Sequence, residues 1–314
     1  MSGGSVSGGS RLEGPVSEGS VSEGSGGRGS VPAAGVSVGG GADGSGAPRP
    51  PEGDWVGTPH LRFERHGSLA HLVVDRPEMR NALSPAMYFG IRYAVDRTNA
   101  EPDLHGLLVT GVGDMFMPGG DLGGANDDGW IDLPRLLSMD NTPFDAVRRS
   151  PKPIVCAVNG IAQGGGLMIA MLADVAIASD RASFRAPELL RGIADTNYAQ
   201  VLPRQIGPAR ARDMLMTGRT VTAAEAVDWG LVARMVPHDE LMDTAVEALQ
   251  WCCRTAPEAR WAVKRTFHEY YGHYDRMAMD RSLTGAEMVE GFRAFKERRS
   301  PAWVPEDLRL DGRF

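Results

Sequence analysis

The glycine triplet at residues 164–166 and its apolar flanks constrain the fold of this chain more than any other stretch. Before the triplet, residues 154–158 form a short run of mostly branched apolar residues, which predicts a buried strand. After it, residues 167–173 are apolar enough for a buried helix, and residues 174–179 predict a second buried strand. The order strand, glycine turn, helix and strand predicts a βαβ unit of an α/β fold.

A helix that begins directly after such a turn presents free backbone N–H groups with no side chains in the way. Such a helix N-terminus can bind a phosphate or an oxyanion. The pattern is explained equally well if the glycines only allow the helix to pack close to the sheet. A second glycine-rich turn, residues 115–122 (MFMPGGDL), favours the binding interpretation. Two backbone donors that converge on one carbonyl oxygen form an oxyanion hole, which stabilises negative charge as it develops.

The two turns, in this order, resemble the crotonase (enoyl-CoA hydratase/isomerase) superfamily. Four further segments carry the resemblance, which spans residues 60–300: DRPEMRNAL at 75–83, RAPE at 185–188, LPR at 202–204 and LMTGR at 215–219. The resemblance implies an α/β fold with a spiral core of ββα units and a C-terminal helical region that joins subunits. It also implies that the backbone N–H groups of Gly120 and Gly165 polarise the thioester oxygen of an acyl-CoA, which stabilises an enolate.

The reaction then depends on the carboxylates beside the acyl chain. Hydratases of this superfamily use two glutamates, and one of the two positions holds Met168 here, which cannot carry a proton. We therefore expect Met168 in the acyl pocket, where it and two neighbouring leucines, Leu189 and Leu190, would surround the proton carrier. The second position holds Glu188, the strongest catalytic candidate, and apolar surroundings would raise its pKa toward neutrality. A plain surface charge is the weaker interpretation of Glu188.

Asp195 is a second catalytic candidate. The segment GIAD at residues 192–195 resembles a motif of the dienoyl-CoA isomerases, with one residue fewer before the aspartate. Those enzymes move protons with a glutamate and an aspartate on opposite sides of the acyl chain. An N-cap that begins the helix predicted at residues 196–202 explains the same aspartate, so both interpretations stay open.

A single carboxylate suffices to convert a 3-enoyl to a 2-enoyl thioester, because it can remove a proton from C2 and return it at C4. The predicted function is therefore a double-bond isomerase with Glu188 as the proton carrier. The alternatives are a 2-enoyl-CoA hydratase using Glu188 with or without Asp195, hydrolysis or decarboxylation of a CoA thioester, and acyl-CoA binding without catalysis. No cofactor is expected, since CoA is part of the substrate, and no metal, since the 7 histidines show no ligand spacing.

The resemblance implies CoA contacts at two places. Arg80, Asn81 and Ala82 precede the first predicted core helix and would hold the adenine and phosphates partly through backbone groups. For the side chains of Arg80 and Asn81, a polar turn is the favoured interpretation. Phe295 and Arg298 lie at the end of the last predicted helix, where family members contact the CoA of a neighbouring subunit. A helix end with cations favourable to its dipole explains these two residues at least as well.

The segment between the two glycine turns is expected to shape the pocket. Residues 123–142 hold many Asp, Asn and Gly residues, and they match the variable region that walls the acyl pocket in the family. Asp121 adjoins the predicted oxyanion hole, and the resemblance assigns it a structural role in holding the turn.

Apolar periodicity and capping signals predict the other elements. Ser84 and Pro85 indicate the start of a helix, and Thr222 with Glu225 forms a capping box for another helix that ends at Gly230. Strands are predicted at residues 61–63, 69–74, 107–110 and 231–236, and helices at residues 209–216, 241–254, 257–271 and 286–299.

Composition sets the domain limits and the partners. Residues 1–53 repeat Gly, Ser, Val and Glu with almost nothing large and apolar, which predicts a disordered tail. A crotonase-like core is predicted over residues 54–207 and a mainly helical region over residues 208–314. A net charge of −7 argues against a nucleic-acid partner, and no apolar run is long enough to cross a membrane. The 3 cysteines form no disulfide or metal pattern, which suits the cytoplasm. The resemblance implies a homotrimer or a homohexamer.

Overall fold

The computed structural model describes residues 48–121, 129–139, 142–272 and 275–309. These residues belong to one compact unit, Ser45–Phe314. Residues 1–47 of the predicted tail and residues 123–128, 140 and 141 of the predicted pocket segment lie outside the described residues. The predicted boundary between the core and the helical region, at residue 207, stays a prediction.

The described part of the chain contains strands of very different lengths. Those longer than three residues are the strands that the sequence predicts, although the predicted strand at residues 231–236 is reduced to its last three residues. In chain order the strands are β1 (Leu61–His66), β2 (Leu69–Val74), β3 (Gly106–Gly111), β4 (Met115–Met117), β5 (Ile154–Val158), β6 (Ile161–Gln163), β7 (Val175–Ser179), β8 (Ser183–Arg185), β9 (Val221–Thr222) and β10 (Arg234–Val236).

Helices connect these strands and form most of the C-terminal part. The two predicted caps are present: the Ser84 side chain accepts a hydrogen bond from the Met87 N–H group, and Thr222 and Glu225 form the capping box. The helices are α1 (Pro85–Ala100), α2 (Leu133–Leu137), α3 (Pro143–Arg149), α4 (Gly165–Leu172), α5 (Thr196–Ile206), α6 (Pro208–Thr217), α7 (Ala223–Trp229), α8 (Leu241–Cys253), α9 (Pro257–Tyr271), α10 (Arg276–Leu283) and α11 (Ala286–Glu297).

The main sheet has six strands in the order β1-β2-β3-β5-β7-β10. Strands β1 and β2 form an antiparallel hairpin, and every other pair of neighbours is parallel. The central strand β5 is buried along its whole length, as expected for a parallel strand covered on both faces. The apolar face of α8 covers one side of the sheet, while α1 and α4 contribute to the larger core on the other side. The predicted βαβ unit is therefore β5-α4-β7.

A second sheet, with the order β4-β6-β8-β9, was not predicted from the sequence. Each of its strands has two or three residues, which is too short to show an alternating pattern. Strands β4, β6 and β8 are parallel to one another. Because the carboxyl ends of parallel strands meet at one edge of a sheet, the three segments that follow these strands lie side by side.

Candidate active site

The shared edge of the second sheet brings the two glycine turns and the catalytic candidate together. Strand β4 leads into Gly120, β6 leads into Gly164 and Gly165, and β8 leads into Glu188. All four residues line one cavity of about 240 Å³. Residues that are far apart in the sequence therefore meet because their strands are parallel and adjacent.

The backbone N–H groups of Gly120 and Gly165 are free to bind an oxygen. On either side of Gly120 the backbone is fixed, because Leu83 donates to the Gly119 carbonyl at 2.9 Å and Asp121 donates to the Leu83 carbonyl at 2.8 Å. Gly165 is the first residue of α4, so its N–H group has no acceptor within the helix. Among the described residues, neither of these two N–H groups donates to a backbone acceptor.

Gly164 leaves room for the Glu188 carboxyl group beside the turn at residues 164–166. Its φ of +52° and ψ of −128° lie in a region that residues with a side chain rarely adopt. A Cβ atom at this position would lie 2.9 Å from Glu188 Oε1, so the missing side chain also leaves room for the carboxyl group. The Tyr198 hydroxyl donates to the Gly164 carbonyl and holds the turn from the other side.

Burial makes Glu188 a weak acid. Its Oε2 atom is buried and has no hydrogen-bond partner within the described part of the chain. Desolvation, followed by the negative charge of Asp195, raises the pKa of Glu188 to about 8. Two nearby arginines, Arg191 and Arg185, oppose this shift but do not cancel it. A carboxyl group with a pKa near neutrality can both accept and release a proton at the pH of a cell.

Asp195 caps a helix and also lines the cavity, so its position is compatible with both of the interpretations that were left open. Its Oδ1 atom accepts hydrogen bonds from the backbone N–H groups of Asn197 at 3.0 Å and Tyr198 at 3.1 Å, which makes it the N-cap of α5. It also lines the cavity together with Glu188. Burial raises the pKa of Asp195 to about 6, although the two N–H groups favour its ionised form. The one-residue difference from the dienoyl-CoA isomerase motif therefore does not turn Asp195 away from the cavity.

Apart from Thr142, Gln163 and Arg191, the rest of the cavity lining is mainly apolar, as an acyl chain requires. Helix α2 lies within the segment predicted to wall the pocket, and it contributes three leucines to the lining. Helices α3, α10 and α11 contribute the remainder. The large apolar side chains are Leu133, Leu136, Leu137, Phe144, Leu283 and Phe292.

The prediction that Met168 lies in the acyl pocket is wrong. Met168 is 1% exposed and packs in the main hydrophobic core, and it does not line the cavity. The same applies to the two leucines expected beside Glu188: Leu189 is 43% exposed, and Leu190 packs against Gly218. The apolar surroundings of Glu188 come from helices that are distant in the sequence, which the local pattern could not indicate.

Tyr88 is a cavity residue that the sequence analysis missed. It lies in the first turns of α1, and a Cβ atom at Gly165 would overlap its hydroxyl group. Burial, and then the charges of Glu188 and Asp195, raise the pKa of Tyr88, so the phenol stays neutral. Its ring packs edge-on against Phe144, with ring centroids 6.1 Å apart. The only available signal was its position four residues after the predicted N-cap.

Asp121 has the structural surroundings that were predicted for it. Its Oδ2 atom lies 3.0 Å from Arg76 Nη1, and the same nitrogen donates to the Ala82 carbonyl at 3.0 Å. Arg76 is only 3% exposed, so this is a buried ion pair that ties the first glycine turn to the segment before α1. The DRPEMRNAL segment contributes to the site through this arginine.

The CoA candidates fall into two groups. Arg80 and Asn81 have positive φ angles of 53° and 63°, and the buried Asn81 side chain donates to the Val112 and Met115 carbonyls. They form the polar turn that was favoured for their side chains, and neither they nor Ala82 line the cavity.

The second group lies at the end of α11. Phe295 lines the cavity of its own chain, whereas the resemblance implied the site of a neighbouring subunit. Arg298 is exposed and ends α11 with a φ of 54°. The structure therefore brings Phe295 into the site and leaves Arg298 outside the cavity lining.

Among the described residues, no group of three or more His, Cys, Asp and Glu side chains is arranged to hold a metal ion. No helix in that part of the chain is both long and apolar enough to cross a membrane.

Comparison with known proteins identifies the class of protein that this fold and this cavity define. Residues 64–306 match the family model described as enoyl-CoA hydratase/isomerase. The chain belongs to this family, the crotonase superfamily, and its α/β architecture with a helical C-terminal region is the fold of that family.

Individual relatives agree with this assignment. A mevalonyl-coenzyme A hydratase from Aspergillus fumigatus is 32% identical over 266 residues, which cover 80% of this chain and 94% of that protein. A carnitinyl-CoA dehydratase from Citrobacter koseri is 33% identical over 266 residues, covering 77% and 97% of the two chains. The crystal structure of an enoyl-CoA hydratase/isomerase from Pseudoalteromonas atlantica superposes with a TM-score of 0.67 at 29% identity, covering 78% of this chain and 100% of that one.

Proposed function

We propose that the chain is a double-bond isomerase of enoyl-CoA thioesters in which Glu188 carries the proton. The observation that supports this most strongly is the position of the Glu188 carboxyl group, which lies against Gly164 and lines the same cavity as Gly120 and Gly165, whose backbone N–H groups are free. This arrangement combines one proton carrier with one oxyanion site, which is the minimum that a shift of a double bond between carbon atoms needs.

In the proposed reaction, the thioester oxygen accepts hydrogen bonds from the N–H groups of Gly120 and Gly165. Ionised Glu188 removes a proton from C2 of a 3-enoyl thioester, and the electrons move onto the thioester oxygen as a dienolate. The protonated Glu188 then returns a proton at C4, which gives the 2-enoyl thioester. The Glu188 pKa of about 8 suits both steps, because the minor ionised fraction near pH 7 can take the C2 proton and the protonated form can return a proton at C4. The reaction uses no cofactor, because CoA belongs to the substrate.

Hydration of a 2-enoyl thioester, or the reverse dehydration, is the second candidate. Two observations favour it: Asp195 lines the cavity with Glu188, and two similar relatives are named as a hydratase and a dehydratase. In this reaction one carboxyl group would exchange a proton with C2 while the other activates water at C3. Asp195 is the candidate for that second role. Met168, which stands at the position of the other hydratase glutamate, is buried in the core and cannot carry a proton.

We also propose a homotrimer or homohexamer as the working form. The support is an apolar face on α9, where Val263, Phe267 and Tyr270 follow a helical spacing and are each more than half exposed. Monomeric proteins seldom leave a contiguous apolar surface of this kind uncovered.

Product analysis distinguishes the candidates. Purified enzyme is incubated separately with a trans-3-enoyl-CoA and a trans-2-enoyl-CoA of the same chain length. The products are separated by chromatography, and their masses are measured by mass spectrometry. The isomerase predicts a 2-enoyl product of unchanged mass from the first substrate and no water addition to the second. A 3-hydroxyacyl product from either substrate supports the hydratase instead. Binding of both substrates without any product supports an acyl-CoA-binding protein that lacks catalysis.

A further inference from the structure

Glu188 and Arg191 project from the same side of a short helix into the proposed acyl-CoA site. Residues Glu188–Arg191 form a 3-10 helix, in which side chains three residues apart lie one above the other. Both side chains line the same cavity. The rise of a 3-10 helix separates their backbone positions by about 6 Å along its axis.

Among the described residues, the Arg191 guanidinium group has no anionic partner. Its carbon atom lies 4.0 Å from the centre of the Phe295 ring, which supports a cation but does not neutralise it. In that part of the chain, no carboxylate lies within salt-bridge distance of Arg191, and its guanidinium group donates no hydrogen bond to a protein acceptor. Burial, and then the charge of Arg185, lower the pKa of Arg191 to about 10, so it stays a cation at neutral pH.

Among the described charged groups that act on the Glu188 carboxyl group, cations outnumber anions. Arg185 and Arg191 supply two positive charges close to Glu188, and Asp195 supplies one negative charge. Glu188 itself is mostly neutral at pH 7, because its pKa is about 8, and its buried Oε2 has no hydrogen-bond partner among the described residues. A half-buried cation without a partner is costly, and an anion supplied by the ligand would remove that cost.

We propose that Arg191 binds a carboxylate carried by the acyl chain of the substrate. The substrate class is then the CoA monothioester of a short unsaturated dicarboxylic acid, which rests on the proposed function of this site. The spacing supports the acyl chain as the source of the anion, because Arg191 lies one 3-10 turn from the residue that meets the reacting carbon. The phosphates of CoA are separated from the thioester by the whole pantetheine arm.

The test compares two saturated CoA thioesters of equal length, one ending in a carboxylate (glutaryl-CoA) and one ending in a methyl group (pentanoyl-CoA). Neither has a double bond to move or hydrate, so calorimetry measures binding alone. A hydrogen-bonded ion pair predicts that wild type binds the carboxylate ligand about 10- to 100-fold more tightly. Arg191→Gln should bind both ligands with similar affinity, and Arg191→Lys should retain part of the preference. Arg212→Gln, at an exposed position on α6, is the matched control and should keep the full preference.

Thioesters of N-acetylcysteamine, which contain no phosphate, identify the source of the anion. The proposal predicts that the preference of wild type for the carboxylate persists with these ligands and is lost in Arg191→Gln. The proposal is overturned if Arg191→Gln weakens the binding of both CoA thioesters equally and leaves the binding of both N-acetylcysteamine thioesters unchanged. Arg191 would then bind a phosphate of CoA. Absence of a preference in wild type overturns it as well. A preference that persists in a protein without isomerase activity would contradict the proposed reaction and leave the substrate class standing.

Discussion

Glu188 and Asp195 share surroundings that oppose the ionisation of both carboxyl groups. Burial is the largest cause for each, and the charge of Asp195 raises the pKa of Glu188 further. Two carboxyl groups coupled in this way titrate as a pair, with apparent pKa values near 6 and 8. At neutral pH the pair holds about one proton, which is the state that a proton-transfer enzyme needs.

The pH dependence of turnover follows from this coupling. In the isomerase direction Glu188 must be ionised first, so kcat/KM should rise with pH through an apparent pKa of about 8. Asp195→Asn removes the neighbouring negative charge, which lowers the pKa of Glu188 and should move the rising limb to lower pH. Asparagine also caps helices well, so α5 should keep its start. The measurement is kcat/KM against pH for both proteins.

Asp228→Asn, which alters an exposed carboxylate on α7, is the control and should leave the profile unchanged. If the rise of kcat/KM with pH occurs at the same pH in Asp195→Asn as in wild type, the two carboxyl groups are not coupled. If the rise moves to higher pH, the charge of Asp195 does not raise the pKa of Glu188.

At the scale of single elements, the 3-10 helix that carries Glu188 and Arg191 packs closely against α11. A Cβ atom at Gly291 of α11 would overlap the Arg191 carbonyl oxygen, and one at Gly192 would overlap the backbone of Glu287. Two glycines therefore let the last helix approach the catalytic turn at backbone distance. This close contact also brings Phe295 of α11 into the cavity.

Gly291→Ala tests the importance of this contact. Alanine normally stabilises the interior of a helix relative to glycine. Here the added methyl group has no space, so we expect the free energy of unfolding to fall by about 1–3 kcal/mol. We also expect kcat/KM to fall, because Glu188 shifts with its helix. Val289→Ala, at an exposed position on the same helix, should change neither quantity much. A Gly291→Ala protein that is more stable and equally active would show that α11 does not position Glu188.

The sequence predicted the long elements and failed for the short ones. The strands at residues 69–74 and 154–158 and the helix at residues 257–271 were predicted with the observed bounds, because each has a clear apolar pattern. Strands β4, β6, β8 and β9 and helices α2, α3 and α10 were not predicted. Pairing with neighbours stabilises the short strands, and that is not encoded in any local pattern.

The candidate site was also predicted only in part. Gly120, Gly165, Glu188, Asp195 and Phe295 were candidates, and all of them line the cavity. They were found because the segments that carry them resemble motifs of the crotonase superfamily. The misplacement of Met168 and the omission of Tyr88 and Arg191 have one physical cause: the direction of a side chain depends on how helices pack in three dimensions. Motif spacing does not contain that information.

At the scale of the whole molecule, the exposed apolar face of α9 predicts assembly. Val263, Phe267 and Tyr270 are 55%, 61% and 61% exposed. We expect light scattering to give a mass three or six times that of one chain. Replacing Phe267 and Tyr270 together with glutamate should reduce this mass, because charges on a buried face oppose association. Met216→Glu, at an exposed apolar residue on α6, is the control. A monomeric wild type, or an assembly that the double variant leaves intact, would contradict the proposed interface.

The central claim, that Glu188 carries a proton between carbon atoms, is tested most directly by isotope exchange. A trans-3-enoyl-CoA is incubated in deuterated water with wild type and with Glu188→Gln, and the product is analysed by mass spectrometry. Folding of the variant is checked by thermal unfolding at pH 8. Removal of a carboxyl group with a raised pKa should not lower stability there, since ionisation of that group destabilises the folded state as pH rises from about 4.5 to about 8.

We predict that wild type forms a 2-enoyl product with no added water and that Glu188→Gln forms none. Solvent deuterium enters the wild-type product to the extent that the Glu188 carboxyl group exchanges its proton with solvent before returning one at C4. Conversion that persists in folded Glu188→Gln would contradict the claim. So would a wild-type product that has gained the mass of water, because hydration would then be the reaction of this site.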